Sequence, residues 1–152
     1  MKYIIFSLQN QPFGIDIHLV HEFSKAAQVS PILGQDPKVA GLINLRGRIT
    51  LAIDLVHCFK LEPAKGSTKQ KRMIVLESQE NLSQEANDLG VISYQEPLIL
   101  LVDQINEVIE VEPADFHPAM SHQDNDIIEA LVQVNDQLIP LIGVPQLIHS
   151  IA

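Results

Sequence analysis

The sequence predicts an all-β protein whose strands close into small barrels. Three observations carry that reading. Hydrophobic residues make up 46% of the 152. Most are Ile, Leu and Val in short runs closed by Gly, Pro, Asn or Asp, the pattern of strands between turns. Few stretches remain for helices, which argues for an all-β class. A faint internal repeat also runs through the chain. Gly41-Leu42-Ile43 matches Ala130-Leu131-Val132, and Ile49-Thr50-Leu51-Ala52-Ile53 matches Leu138-Ile139-Pro140-Leu141-Ile142, both at an offset of 89 residues. Val20-His21-Glu22-Phe23 resembles Ile105-Asn106-Glu107-Val108 at an offset of 85. Any two alternating strands resemble each other, but segments recurring in one order point to a two-barrel, pseudo-duplicated protein. Barrels or a sandwich would also hide the edges of so many strands.

Taken in order, Tyr3–Leu8 and Phe13–Ile17 are strands about the turn-like Gln9-Asn10-Gln11-Pro12, a hairpin. Leu19–Phe23 is a less regular strand. Asp36-Pro37 supplies an N-cap and first-turn pair, which predicts a short helix near 36–40. Ile49–Leu55 is a strand, and residues 62–72 form a polar linker between approximate halves 1–61 and 73–152. Arg72–Glu77 and Leu89–Tyr94 read as strands around the polar run Ser78–Asp88, a loop or short surface helix. Leu98–Val102 and Ile105–Val111 follow. Leu131–Val134 and Leu138–Val144 flank Asn135-Asp136-Gln137, a hairpin turn, and Pro145 opens a terminal helix.

Composition narrows the function. There is too much apolar material for a disordered chain. The longest purely apolar run, Leu98–Val102, is far shorter than the roughly 20 residues of a membrane span. Tyr3–Leu8 is too short, and too soon followed by Gln9-Asn10-Gln11, for a signal peptide. The single cysteine, Cys58, excludes an internal disulfide and fits a reducing cytosol, where the Asn81 sequon has no consequence. The net charge of −9 is unevenly split. All ten Lys and Arg lie in residues 1–72, which carry +5, while residues 73–152 carry −14. An acidic chain with two Tyr and no Trp is a poor partner for nucleic acid. Lys65, Lys69, Lys71 and Arg72, the densest basic stretch, read as part of a solvated linker.

No catalytic or metal constellation stands out. His18 and His21 are three residues apart and His57 adjoins Cys58, but His117, His122 and His149 are scattered, whereas zinc sites need clustered ligands. Cys58 lies among apolar residues and reads as a small buried hydrophobe. Asp124-Asn125-Asp126 lacks the glycine and terminal Glu of a calcium loop. The glycines form neither a phosphate loop nor a dinucleotide fingerprint.

One segment is unusual. Val39–Ile49 places Asn44, Arg46, Gly41 and Gly47 inside a strongly apolar stretch. The glycines permit close backbone approach or positive φ. Asn44 can bond local backbone in a tight connection. Arg46 beside apolar surface needs a partner, and Glu22 is the best candidate in an acid-poor half. The segment is thus either a structural turn with a surface Arg or a turn that offers Arg46 to another molecule.

Ala40-Gly41-Leu42-Ile43-Asn44-Leu45-Arg46-Gly47-Arg48-Ile49, followed by Ile53-Asp54-Leu55, resembles the signature of CheW-like domains, the bacterial chemotaxis coupling proteins. Phe13–Ile17, Val20–Phe23, Leu101–Val108 and Leu138–Ile142 resemble other family strands in the right order. The resemblance implies two five-stranded SH3-like barrels on a shared core, with terminal segments that can swap between barrels. It implies a non-enzymatic, cofactor-free cytoplasmic adaptor at membrane receptor arrays. Its partners would be the cytoplasmic tip of a chemoreceptor (a methyl-accepting chemotaxis protein) and the regulatory domain of a CheA-type histidine kinase, with no nucleic acid and no membrane insertion. Carried over by position, Val20, Glu22, Arg46, Ile105 and Val108 contact or shape the receptor groove, with Glu22 and Arg46 ion-paired. Gly41, Asn44 and Gly47 build its turn. Leu51, Val56, Ile99, Ala130 and Gly143-Val144 depart from common family residues, and Ser78–Tyr94 looks long, which marks a divergent branch. Two other functions stand beside this one: a scaffold for another chemosensory system, governing pili or polar localisation, and a small hydrolase or metal enzyme using His57, Cys58 or the His18 and His21 pair. If each half is one barrel, the +5 and −14 halves form a charge axis that would orient end-to-end contacts with the kinase.

Overall fold

A computed structural model describes residues 1–34, 36–61, 71–119 and 127–151. Most of the expected linker, the 124–126 run, His122, Lys65 and Lys69 lie outside these residues. Strands β1 (Lys2–Leu8) and β2 (Gln11–Asp16) form a hairpin about Gln9-Asn10, both at positive φ. A 3-10 turn over Ile17–Leu19, capped by Asp16 accepting from the His18 backbone N–H at 2.9 Å, leads into β3 (Val20–Lys25). β4 (Val39–Leu45) and β5 (Arg48–Asp54) form a second hairpin. One helical turn, α1 (Leu55–Cys58), is capped by Asp54. β6 (Arg72–Leu76), the short helix α2 (Gln84–Asp88) capped by Ser83, β7 (Leu98–Val102) and β8 (Gln104–Glu110) follow. The chain ends with β9 (Phe116–Pro118), the hairpin β10 (Ile128–Val134) and β11 (Gln137–Ile142), and α3 (Val144–Ile151).

These strands form two sheets. One has the order β3-β6-β7-β5-β4 and the other β8-β1-β2-β11-β10-β9. Apart from β9 the two orders superimpose strand for strand, with β3 answering β8, β6 answering β1 and the β4–β5 hairpin answering β10–β11. The weak repeat is therefore structural. Its offset of 89 maps one hairpin onto the other, bulges included, since the register shifts at Val39/Gly41 in one and Ile128/Ala130 in the other. Its offset of 85 maps β3 onto β8.

Alternation sorts the apolar residues into three cores. Met73, Val75, Ile99, Leu101, Ala52 and Ile43 pack inside the first sheet. Tyr3, Ile5, Val111, Val132, Ile139 and Leu141 pack inside the second. The opposite faces of the same strands, including Ile4, Phe6, Leu8, Ile74, Leu76, Leu98, Leu100 and Val102, meet in the largest core, between the sheets. Strands buried on both faces explain why Leu98–Val102 reads as an unbroken apolar run and Tyr3–Leu8 as one interrupted only by Ser7.

The sheets divide the chain at other points than 62–72. β1 and β2 join β8–β11, and residues 20–102 make the first sheet alone. The crossings are short, Ile17–Leu19 and Asp103. Asp103 clasps both units, accepting from the Gln9 N–H at 2.7 Å and pairing with Lys71. The charge split changes accordingly. Residues 20–102 carry nine cations and nine acids, whereas the rest carries Lys2 against ten acids. The expected +5 and −14 become zero and −9.

Two local expectations also fail. The helix near 36–40 is a single turn, in which Asp36 accepts from the Lys38 and Val39 N–H groups, because Val39 already pairs with Ile53 in β4. Leu89–Tyr94 is not a strand. There Ser93 N–H donates to Gln79 Oε1 at 2.6 Å, Ser93 Oγ donates to Glu77 O and Gln79 N–H donates to Tyr94 O, which replace ladder bonds.

Candidate partner-binding groove

The polar insertion in Val39–Ile49 is the β4–β5 turn. Leu45 pairs with Arg48, so Arg46-Gly47 is a two-residue loop. Both residues have positive φ, 52° and 85°, the type I′ geometry whose twist matches the flanking strands. Asn44 Oδ1 accepts from the Gly47 N–H at 2.9 Å and braces the loop. A non-glycine residue at such a φ is uncommon, and here it is Arg46.

The turn delivers Arg46 to β3. Its Nη2 donates to Glu22 Oε2 at 2.7 Å. The Arg46 side chain is 70% exposed and that of Glu22 24%. The hydrogen bond and charge of Glu22 hold the guanidinium above its ordinary pKa. Glu22 Oε1 is buried with no hydrogen-bond partner among the described residues. Glu22 stands opposite Val75, on the inward face of its sheet, so the ion pair closes the end of the first barrel.

Gly41 is not in this turn. It lies in β4 at φ 146°, and a Cβ there would stand 2.2 Å from the Ser30 carbonyl oxygen. Ser30 and Leu42 exchange backbone hydrogen bonds of 2.8 and 2.9 Å across that approach. Gly41 is therefore what lets residues 30–31 seal the edge strand β4.

Val20 and Ile105 lie on different sheets, yet both are partly buried against the shared core. Ile105 pairs with Phe6 and Val108 with Ile4, so both stand on the β8 face turned toward that core. Val108 is 48% exposed. The structure thus brings Glu22 to Arg46 and Asn44 to Gly47, and sets Val20 and Ile105 on one core. Val108 stands on the sheet opposite the ion pair.

The histidines and the thiol form no common centre. His18 Nδ1 lies 2.9 Å from Asp16, His21 Nδ1 3.0 Å from Glu77 and His57 Nδ1 2.8 Å from Asp54. Each has its own carboxylate, and no group of three or more metal-ligating side chains occurs among the described residues. Cys58 is buried in the shared core, where desolvation pushes its thiol pKa up to about 12. It stays protonated at neutral pH, and the thiolate is the nucleophile.

A CheW-like domain model matches residues 2–152. The chain belongs to the CheW-like domain family. The chemotaxis protein CheW of Bacillus subtilis is 27% identical over 145 residues, 93% of this chain and 82% of that protein. CheW of Klebsiella aerogenes is 23% identical over 154 residues, 98% and 82% of the two chains. The crystal structure of the scaffolding protein TtCheW from Thermoanaerobacter tengcongensis matches with a TM-score of 0.76 at 27% identity, over 93% of this chain and 88% of that one. The fold is the two-barrel, SH3-like one, and the family is one of adaptors rather than enzymes.

In this CheW-like domain one exposed apolar residue beside these positions is not among the sequence-derived candidates. Phe23 is 50% exposed and stands opposite Ile74 of the shared core. It is the repeat counterpart of Val108, one step beyond Glu22. The signal was the offset of 85, which places Phe23 where the second half has an exposed valine.

Proposed function

We propose that this CheW-like domain is a chemosensory adaptor. It binds the cytoplasmic tip of a chemoreceptor and holds a CheA-type histidine kinase, through the kinase's regulatory domain, in a receptor-responsive arrangement. No helix among the described residues is long and apolar enough to cross a membrane; the adaptor would work in the cytoplasm, recruited to receptor arrays. Support comes chiefly from the Glu22–Arg46 pair, presented by a turn whose backbone geometry suits Arg poorly, beside a partly buried shelf of Val20 and Ile105. A receptor helical hairpin would lay apolar residues along that shelf, a helix-in-groove contact, with the ion pair at the rim. No reacting group is required. The test is pull-down of a chemoreceptor tip fragment by wild type and Arg46→Glu. Loss of binding with an unchanged circular dichroism spectrum is expected. Undiminished binding would overturn the role of Arg46.

A further inference from the structure

Beyond Phe23 on the same sheet face stand two cations in a strained arrangement. Lys25 of β3 and Arg72 of β6 are directly opposite in antiparallel register, and both are exposed. Side chains so placed have Cβ atoms about 5 Å apart, and like charges there repel. Among the described residues neither makes an ion pair or side-chain hydrogen bond. The chain has nearly twice as many acids as cations, yet among the described residues none pairs with these two, and Asp103, the acid next along from Val102, is engaged by Lys71. Arg72 shares its face with Ile74, Leu100 and Val102 of the shared core. The basic pair therefore continues the groove wall that Val20 and Phe23 begin.

We propose that Phe23, Lys25 and Arg72 form a docking surface for an acidic, amphipathic helix of the receptor partner. This extension rests on the reading given under Proposed function. Charge complementarity selects the occupant: an apolar side chain seats against Phe23, and carboxylates meet the two cations. The spacing adds a pattern. Phe23 and Lys25 are two residues apart on one strand face, about 6.6 Å. A helix lying along β3 covers that distance in four residues at 1.5 Å each. The partner helix thus carries an apolar residue at one position and Asp or Glu four residues away, on one face. A second copy of this chain, whose other barrel is acidic, is the competing occupant. The wall's continuity with Val20 and Phe23 favours the receptor.

The experiment measures affinity for a soluble chemoreceptor tip fragment by calorimetry at low and high salt, with thermal melts of each variant. Lys25→Glu turns the repelling pair into an attracting Glu–Arg pair. The variant is expected to melt higher than wild type, to bind the tip about tenfold more weakly at low salt and to lose much of the salt dependence. Phe23→Ser should weaken binding similarly, and Phe23→Leu should restore most of it. A variant that melts higher and binds like wild type would overturn the proposal. So would sedimentation showing that wild type self-associates and Lys25→Glu does not, with tip binding equal in both, since the patch would then join copies of the chain. Arg46→Glu separates the two levels. If it alone abolishes binding, the extension fails and the groove stands; if no variant affects binding, both fail.

Discussion

The hairpins β4–β5 and β10–β11 are two versions of one unit. Each has a bulge near its start, a two-residue loop and a first loop residue in the left-handed region, at φ 52° for Arg46 and 55° for Asn135. The second meets these demands in the usual way. Asn tolerates left-handed φ because its short polar side chain bonds locally, and Ala130 occupies the bulge. The first places Gly41 at the bulge and Arg, a long residue without that tolerance, in the loop. Both edges are covered, β4 by the bridge at Ser30 and β10 by β9, but among the described residues only the first hairpin has a close approach that requires glycine and an ion pair reaching to another strand, at Glu22. The difference teaches where to look for function in a duplicated fold. A position that one copy fills conventionally, and the other fills against backbone preference, marks what the second copy was adapted to do.

The most disruptive way to break the comparison is to make the two bulges alike. Gly41→Ala puts a methyl group into the Ser30 carbonyl at a φ that L-residues avoid. The Ser30–Leu42 bridge must open or β4 must shift. A loss of at least about 2 kcal/mol is expected from urea unfolding. The converse change, Ala130→Gly, meets no such contact and should cost no more than about 1 kcal/mol. Equal losses at the two positions would mean that the close approach at Ser30 is dispensable.

The same comparison shows what was legible beforehand. Two-sided burial made β1, β6 and β7 plain as apolar runs, and hairpin β10–β11 announced itself through Asn135-Asp136. β4 was hidden because Gly41 and Asn44 interrupt its alternation, although each serves the strand or its turn. The Glu22–Arg46 pair was legible from scarcity, since residues 1–72 hold five acids in all. The division into barrels was not. The polar run 62–72 joins two strands of one sheet, whereas the real crossings, Ile17–Leu19 and Asp103, have no linker composition. Phe23 looked like any strand residue until the register put it opposite Ile74.

A sharper test moves the loop residue from the second hairpin into the first. Arg46→Asn relieves left-handed strain and gives up an exposed ion pair, terms of similar size and opposite sign. Stability should stay within about 1 kcal/mol of wild type. Affinity for a receptor tip fragment should nevertheless fall about tenfold, or 1.4 kcal/mol. Stability measured by urea and affinity by calorimetry would then part company, as expected of a residue kept for its partner. If both fell together, Arg46 would be a structural residue and Glu22 its cap.

The reverse transfer has the smallest effect and the clearest control. Asn135→Arg gives the second hairpin the residue of the first, and the repeat offers only a weaker counterpart of Glu22: Glu107, opposite Ile5 as Glu22 is opposite Val75, but exposed where Glu22 is partly buried. An exposed pair with Glu107 would contribute little, so the left-handed penalty dominates, a loss of about 1 kcal/mol by thermal or urea unfolding. Receptor binding should be unchanged. A stability loss much below that figure would show that Arg sits comfortably at this φ in either hairpin. Arg46 would then cease to be an exception to the backbone's preference, and the case for the first hairpin would rest on its partner Glu22 alone.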